Sequence, residues 1–166
     1  MKEFSPAPDS PSIVSVTDRV KPVTLGMGVT SVYFLGPRAA FVGGEENVAF
    51  ADAKGEITTV AVHGGGILST ASDGKRLIMG GDDGKVVSLD AKGEVTLLAI
   101  DTKRRWIDAV ALHPDGAYAW SAGKTATVKS GKLEEKSLEV PSTVGGLAFA
   151  PKGLRLAIAH YNGATL

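Results

Sequence analysis

The sequence predicts an all-β chain of four-stranded antiparallel units laid in tandem. Three observations point there: glycine usage, a long internal repeat, and turn sequences that return in register. Among 166 residues 21 are glycine, spread among Val, Ile, Ala and Thr. That mixture suits short strands joined by tight turns. The segment Asp52-Ala53-Lys54-Gly55-Glu56 recurs letter for letter as Asp90-Ala91-Lys92-Gly93-Glu94, 38 positions later. Matching apolar runs follow both copies, Ile57 to Val62 and Val95 to Ile100. Ahead of them, Phe41-Val42-Gly43-Gly44-Glu45-Glu46-Asn47 corresponds to Ile78-Met79-Gly80-Gly81-Asp82-Asp83-Gly84.

A period near 40 is the length of one four-stranded propeller blade. Two further units keep the register, since Val110-Ala111-Leu112-His113-Pro114-Asp115-Gly116 is echoed by Leu147-Ala148-Phe149-Ala150-Pro151-Lys152-Gly153. In these turns Pro presets φ for the first corner, while Asp and Gly tolerate the left-handed second half. Strands a to d are expected at 29–35, 39–43, 47–51 and 56–62 in unit one. Unit two should place them at 66–71, 76–80, 85–89 and 94–100. Unit three follows with 106–113, 117–121, 125–129 and 135–140. Unit four has 143–150 and 154–159, with a third strand beginning at Ala164. The expected fold is therefore a partial β-propeller of about three and a half blades, at 29–63, 64–101, 102–140 and an incomplete 141–166.

Residues 1–11, rich in Pro and Ser between Ser5 and Pro11, read as a flexible tail, and 12–166 as the propeller domain. Residues 13–16 and 20–25 read as strand material interrupted by Asp18 and Pro22. In propellers that seal their ring by sharing a blade, such an early strand supplies the outer strand of the last blade. Three and a half blades leave two apolar flanks uncovered. The expectation is a fragment of a longer, seven-bladed protein, or flanks covered by another copy or partner.

Unit two carries a family resemblance. The stretch Leu77-Ile78-Met79-Gly80-Gly81-Asp82-Asp83-Gly84-Lys85-Val86-Val87-Ser88-Leu89-Asp90 resembles the b-turn-c stretch of the WD-repeat family. Asp83 falls where that family keeps a turn aspartate, and Leu89-Asp90 where it keeps Trp-Asp. Tyr161-Asn162-Gly163-Ala164-Thr165-Leu166 begins the same way in unit four. No unit has Trp-Asp, and none has the Gly-His pair that opens a repeat in the family. The family's His–Ser–Asp–Trp hydrogen-bond network is thus expected to be absent or degenerate. The resemblance covers 29–166 and implies a propeller working as a non-enzymatic protein-interaction scaffold.

Composition narrows the function classes. Lys plus Arg and Asp plus Glu both number 18, giving a formal net charge of zero. Duplex binding draws on an excess of cations to displace counterions, so no nucleic-acid partner is expected. The absence of cysteine excludes disulfides, a thiolate nucleophile and Cys-containing zinc sites. The N-terminus lacks a signal-peptide apolar run, and no stretch approaches a bilayer span. No membrane partner is expected, and the cytoplasm is the default compartment.

Four motifs with catalytic look-alikes resolve into structure. His63-Gly64-Gly65-Gly66 matches an oxyanion loop but has no Gly-x-Ser-x-Gly partner, so it reads as a flexible blade link. Gly123-Lys124-Thr125 lacks the earlier glycine of a P-loop, Tyr118 standing there, and reads as a tight b–c turn. His63, His113 and His160 fall in three units, with His113 on the opposite rim from the others, a poor metal set. Asp73, Asp83 and Asp115 recur at matching turns, where Asp side chains bind nearby amides.

No cofactor or catalytic residue is expected. The functional patch is Lys103-Arg104-Arg105-Trp106, in the link between blades two and three. In propellers of this kind the blade links and b–c turns share one rim, which would also hold Glu45, Glu46, Asp82, Asp83 and Tyr161. Arg and Trp make good anchors because they bury large rigid surfaces while satisfying polar groups. The expected partner is a protein or peptide. Two rivals stay open: a propeller hydrolase or lactonase with a channel metal, and a structural subunit completed by self-association or by another chain.

Overall fold

A computed structural model describes residues 15, 17, 20–131 and 133–166. The first sheet holds β1 (Val29–Leu35), β2 (Arg38–Gly43), β3 (Asn47–Ala51) and β4 (Ile57–Ala61). The second holds β5 (Ile67–Ser72), β6 (Arg76–Gly81), β7 (Lys85–Asp90) and β8 (Val95–Ile100). The third holds β9 (Ile107–Leu112), β10 (Tyr118–Ala122), β11 (Thr125–Lys129) and β12 (Lys136–Glu139). The fourth has three strands, β13 (Val144–Phe149), β14 (Leu156–His160) and β15 (Gly163–Thr165). Each sheet is an antiparallel meander in chain order. No helix among the described residues is long and apolar enough to cross a membrane.

The sheets stack face to face because their strands alternate with period two between two apolar faces. In β6, Leu77 and Met79 face the first sheet, while Ile78 faces the third. The first seam closes Val42, Val48 and Phe50 against Leu77, Met79, Val87 and Leu89. The second closes Ile78 and Val86 against Val110, Tyr118 and Trp120. The third closes Ala109 and Ala126 against Val144 and Ile158, with Leu147 and Leu156 alongside. Innermost strands are also neighbours, β9 lying against both β5 and β13. Sheets that meet face to face with their first strands side by side are blades around an axis. This is a partial propeller.

Polar staples cross the seams. Tyr33 Oη and Thr70 Oγ1 are 2.7 Å apart. Arg38 donates to the Ala91 carbonyl at 3.0 Å, and Arg76 to the Gly116 carbonyl at 2.7 Å. The repeated Asp-Ala-Lys-Gly-Glu is the c–d turn. Asp52 Oδ1 accepts the amides of Lys54 and Glu56, and Asp90 Oδ1 those of Lys92 and Glu94, all at 2.8–2.9 Å. Gly55 and Gly93 complete these turns at φ +86° and +92°, where a side chain is strained.

Three expectations need correction. Residues 20–25 form no strand: Pro22 removes a ladder donor and the segment pairs with no sheet. Residues 13, 14 and 16 lie outside the described residues, as do residues 1–11. The glycine link at 64–66 is packed rather than loose. A Cβ on Gly65 would collide with the Asp82 carboxylate, and Gly66 accepts the Asp82 amide at 3.0 Å. Asp115 does not cap its turn: the ring of His113 accepts the Asp115 amide at 3.1 Å, leaving an exposed carboxylate. Asp73 caps as expected, accepting from Lys75 and Arg76.

Candidate interaction rim

One rim is traceable contact by contact. The Val62 amide donates to Glu46 O at 2.8 Å, tying the first blade link to the b–c turn that carries Glu45 and Glu46. That link then runs under Asp82 and Asp83. The Asp101 amide donates to Gly84 O at 2.8 Å, so the second link abuts the second b–c turn. Val140 donates to Lys124 O, Val144 to Gly123 O, and Tyr161 to Thr143 O. Glu45, Glu46, Asp82, Asp83, Lys103 to Trp106 and Tyr161 therefore share one rim. They do not form one cluster. Tyr161 stands 90% exposed at the far end, with a whole blade between it and Trp106.

Two of these residues are structural. Asp83 accepts from His63 Nδ1, the Gly64 amide and the Lys85 amide, each at 3.1 Å. Its Oδ2 also lies 3.3 Å from Lys85 Nζ. Burial works to raise its pKa, but the Gly64 amide, the His63 ring and the Lys85 amide outweigh it and hold the carboxyl down at about 2. A His–Asp pair thus survives of the expected degenerate network, joining blade one to blade two. Asp82 packs over Gly65 and Gly66. His63 and His160 sit on this rim and His113 on the other. No three His, Cys, Asp or Glu among the described residues are grouped to hold a metal.

The second link is built like the c–d turns. Asp101 Oδ2 accepts the amides of Lys103 and Arg105 at 3.1 and 2.9 Å, the spacing seen at Asp52 and Asp90. Arg104 donates to Asp101 O at 2.9 Å, just as Gly55 and Gly93 donate to the carbonyls of Asp52 and Asp90. Arg104 therefore occupies the left-handed position that glycine fills in both other copies. Its φ is +50°, and it is the one non-glycine with positive φ among the described residues. The Arg105 guanidinium binds the Asp101 carboxylate at 2.7 Å and, against partial burial, holds its pKa below the ordinary value. Arg105 thus locks the loop. Lys103, Arg104 and Trp106 are left exposed, Trp106 by 62%. Because left-handed backbone strains a side chain, Arg104→Gly should raise stability by about 0.5–1 kcal/mol, read as a higher urea midpoint.

A feature not legible in the sequence lies at the axial end of this rim. Every innermost strand is bulged at its second residue: Thr30, Leu68, Asp108 and Gly145. A bulge re-aims one side chain out of the alternation. All four residues are exposed, and they stand where the inner strands begin. Asp108 alone is ionisable, and burial pushes its carboxyl up.

No protein-family model matches the chain, and no curated protein matches it. Among solved structures, a chain from the crystal structure of a mitotic checkpoint complex is similar at 21% identity and a TM-score of 0.64. The match covers 80% of the present chain and 44% of that one, so this chain spans less than half of its neighbour's length. A likeness at this identity concerns the propeller fold.

Proposed function

We propose that this chain is a non-enzymatic, cytoplasmic interaction module of the WD-repeat type, which captures a protein or peptide on the rim around Arg104 and Trp106. The carrying observation is the triplicated turn. Where two copies use glycine at the left-handed position, the rim copy holds Arg104 there at a cost in strain. Strain of this kind gathers at binding sites, where the surrounding structure holds a side chain in a working position. Asp101 and Arg105 fix the loop, so the backbone that carries Arg104 and Trp106 needs no ordering on docking. Further along the rim, toward blade one, the exposed carboxylates of Glu45 and Glu46 supply the opposite sign. A partner segment with an acidic residue and an apolar side chain toward blade three, and a basic one toward blade one, suits this layout. The origin of the solved neighbour in a complex agrees with such a role. The axial mouth, with Asp108 as its single carboxylate among Thr30, Leu68 and Gly145, offers a channel metal too few ligands.

The test is paired pull-down from lysate with the whole chain and with Arg104→Ala/Trp106→Ala, leaving Arg105 in place because it holds the loop. Capture of the partner should weaken at least about 30-fold, the loss expected when an Arg and a Trp anchor go together. Equal capture by a variant with an unchanged circular dichroism spectrum eliminates this rim as the binding site.

A further inference from the structure

Between Arg104 and Ala109 the side chains alternate between outside and inside. Arg104, Trp106 and Asp108 are exposed, whereas Arg105 is half-buried on Asp101, and Ile107 and Ala109 are buried. The chain here crosses from β8, at the outer edge of the second sheet, to β9, the innermost strand of the third. The three exposed residues therefore stand in order from perimeter to axis: a cation, an aromatic ring and a carboxylate. Neither charge at the ends of this row is answered within the chain. Arg105 takes the Asp101 carboxylate and leaves Arg104 free. At Asp108 burial alone acts on the carboxyl, with no cation or hydrogen bond to offset it. The bulge that re-aims Asp108 needs no carboxylate, because Thr30, Leu68 and Gly145 take the same place in the other inner strands. A carboxylate drawn partly out of water and left unpaired costs free energy that a neutral residue avoids. The surroundings are complete at this point: β9 lies between β5 and β13, and β5 exposes Leu68 by 42%.

We infer that the rim takes an extended peptide segment in one direction, with an acidic residue on Arg104, an apolar one on Trp106 and a lysine or arginine on Asp108. The inference rests on the rim reading above and gives it an order of charges. Trp106 and Asp108, two residues apart where the chain enters β9, are separated by about 6–7 Å, the distance between alternate side chains of an extended peptide. Alternate positions of the segment therefore match the row. Lysine or arginine suits the axial end because its stem can cover Leu68 while its charge reaches the carboxylate. The reversed segment would bring like charges together at both ends, and that repulsion fixes the direction.

Selection of random dodecapeptides, displayed on phage, against the whole chain is the test. Sequences recovered on the wild type should share an acidic, an apolar and a basic residue at alternate positions. On Asp108→Asn, a nearly isosteric change at an exposed position, the basic residue should drop out while the other two persist. A synthetic peptide from the wild-type selection can be titrated by the fluorescence of Trp106, which is exposed whereas Trp120 is buried. It should bind Asp108→Asn about tenfold more weakly, the loss expected for one charge-assisted contact. The same peptide with its basic residue replaced by glutamine should bind both proteins alike. Peptides that bind Arg104→Ala/Trp106→Ala as well as wild type, or no recovered peptide at all, sink the rim reading and this inference with it. Peptides that need Arg104 and Trp106 but carry no basic residue, or bind Asp108→Asn as tightly as wild type, overturn this inference alone.

Discussion

Asp83→Ala should lower the unfolding free energy by about 3 kcal/mol, a large part of the total for a domain of this size. The reason is the number of groups that one carboxylate satisfies. Without it the Gly64 and Lys85 amides and His63 Nδ1 lose their acceptor, beside a His63 Nε2 that already has no partner. A buried donor left without a partner costs about 1–3 kcal/mol, more than a made hydrogen bond contributes. Asp115→Ala is the control, because its carboxylate is exposed and caps nothing; a change within about 0.5 kcal/mol is expected. Urea midpoints at neutral pH compare the two. The acid limb gives a second reading. The folded pKa of Asp83 is about 2, below its ordinary 3.8. Its contribution is therefore complete above 3.8 and disappears as pH falls toward 2, a loss of roughly 2 kcal/mol. Asp90 and Asp101 are also shifted down and add to the slope. The difference between wild type and Asp83→Ala isolates this one group. Curves that stay parallel from pH 5 to pH 2 would falsify the assignment of that stability to Asp83.

The blades were legible because turns punctuate them. Gly and Asp at the hairpin corners fixed every strand from β1 to β15 to within about two residues at either end, and the copied Asp-Ala-Lys-Gly-Glu set the period. Residues 20–25 misled for a related reason. Their Val and Leu content suits a strand, but β preference reports packing on a neighbour, and no sheet pairs with them. The rim itself was partly legible. Its membership follows from the blade register, whereas the Asp101 turn shares no copied letters with its two counterparts and shows its likeness only in the amides two and four residues on, which bind Asp101 as they do Asp52 and Asp90. Comparing those three turns would have marked Arg104 as the residue in glycine's place. The bulges at Thr30, Leu68, Asp108 and Gly145 had no such signal. A one-residue slip in pairing leaves no trace when the slipped residues share no chemistry.

Gly80→Val is expected to be at least as damaging as loss of Asp83, for a steric reason that unit two's resemblance to other repeats does not convey. A Cβ at Gly80 would stand 2.7 Å from the Ile107 carbonyl oxygen, 2.5 Å from Ile107 Cγ2 and 2.7 Å from Ser69 Oγ. The backbone oxygen cannot yield freely, because Ser69 Oγ donates to it at 2.9 Å across the second seam. Ile107 itself is fully buried. Room for the new side chain must come from moving β9 away from β6. Overpacking alone costs about 1–3 kcal/mol, and the broken Ser69–Ile107 bond adds about 1 kcal/mol. A total near 3–4 kcal/mol should appear as a lower urea midpoint, with loss of near-ultraviolet dichroism from Trp120, which lies in the same seam. Gly145→Ala separates this effect from the general cost of filling a glycine, since nothing lies within 4 Å of a Cβ there and its φ is not positive. It should change stability by less than about 0.5 kcal/mol. Equal losses at Gly80 and Gly145 would mean that β6 and β9 meet less closely than the Gly80–Ile107 approach requires.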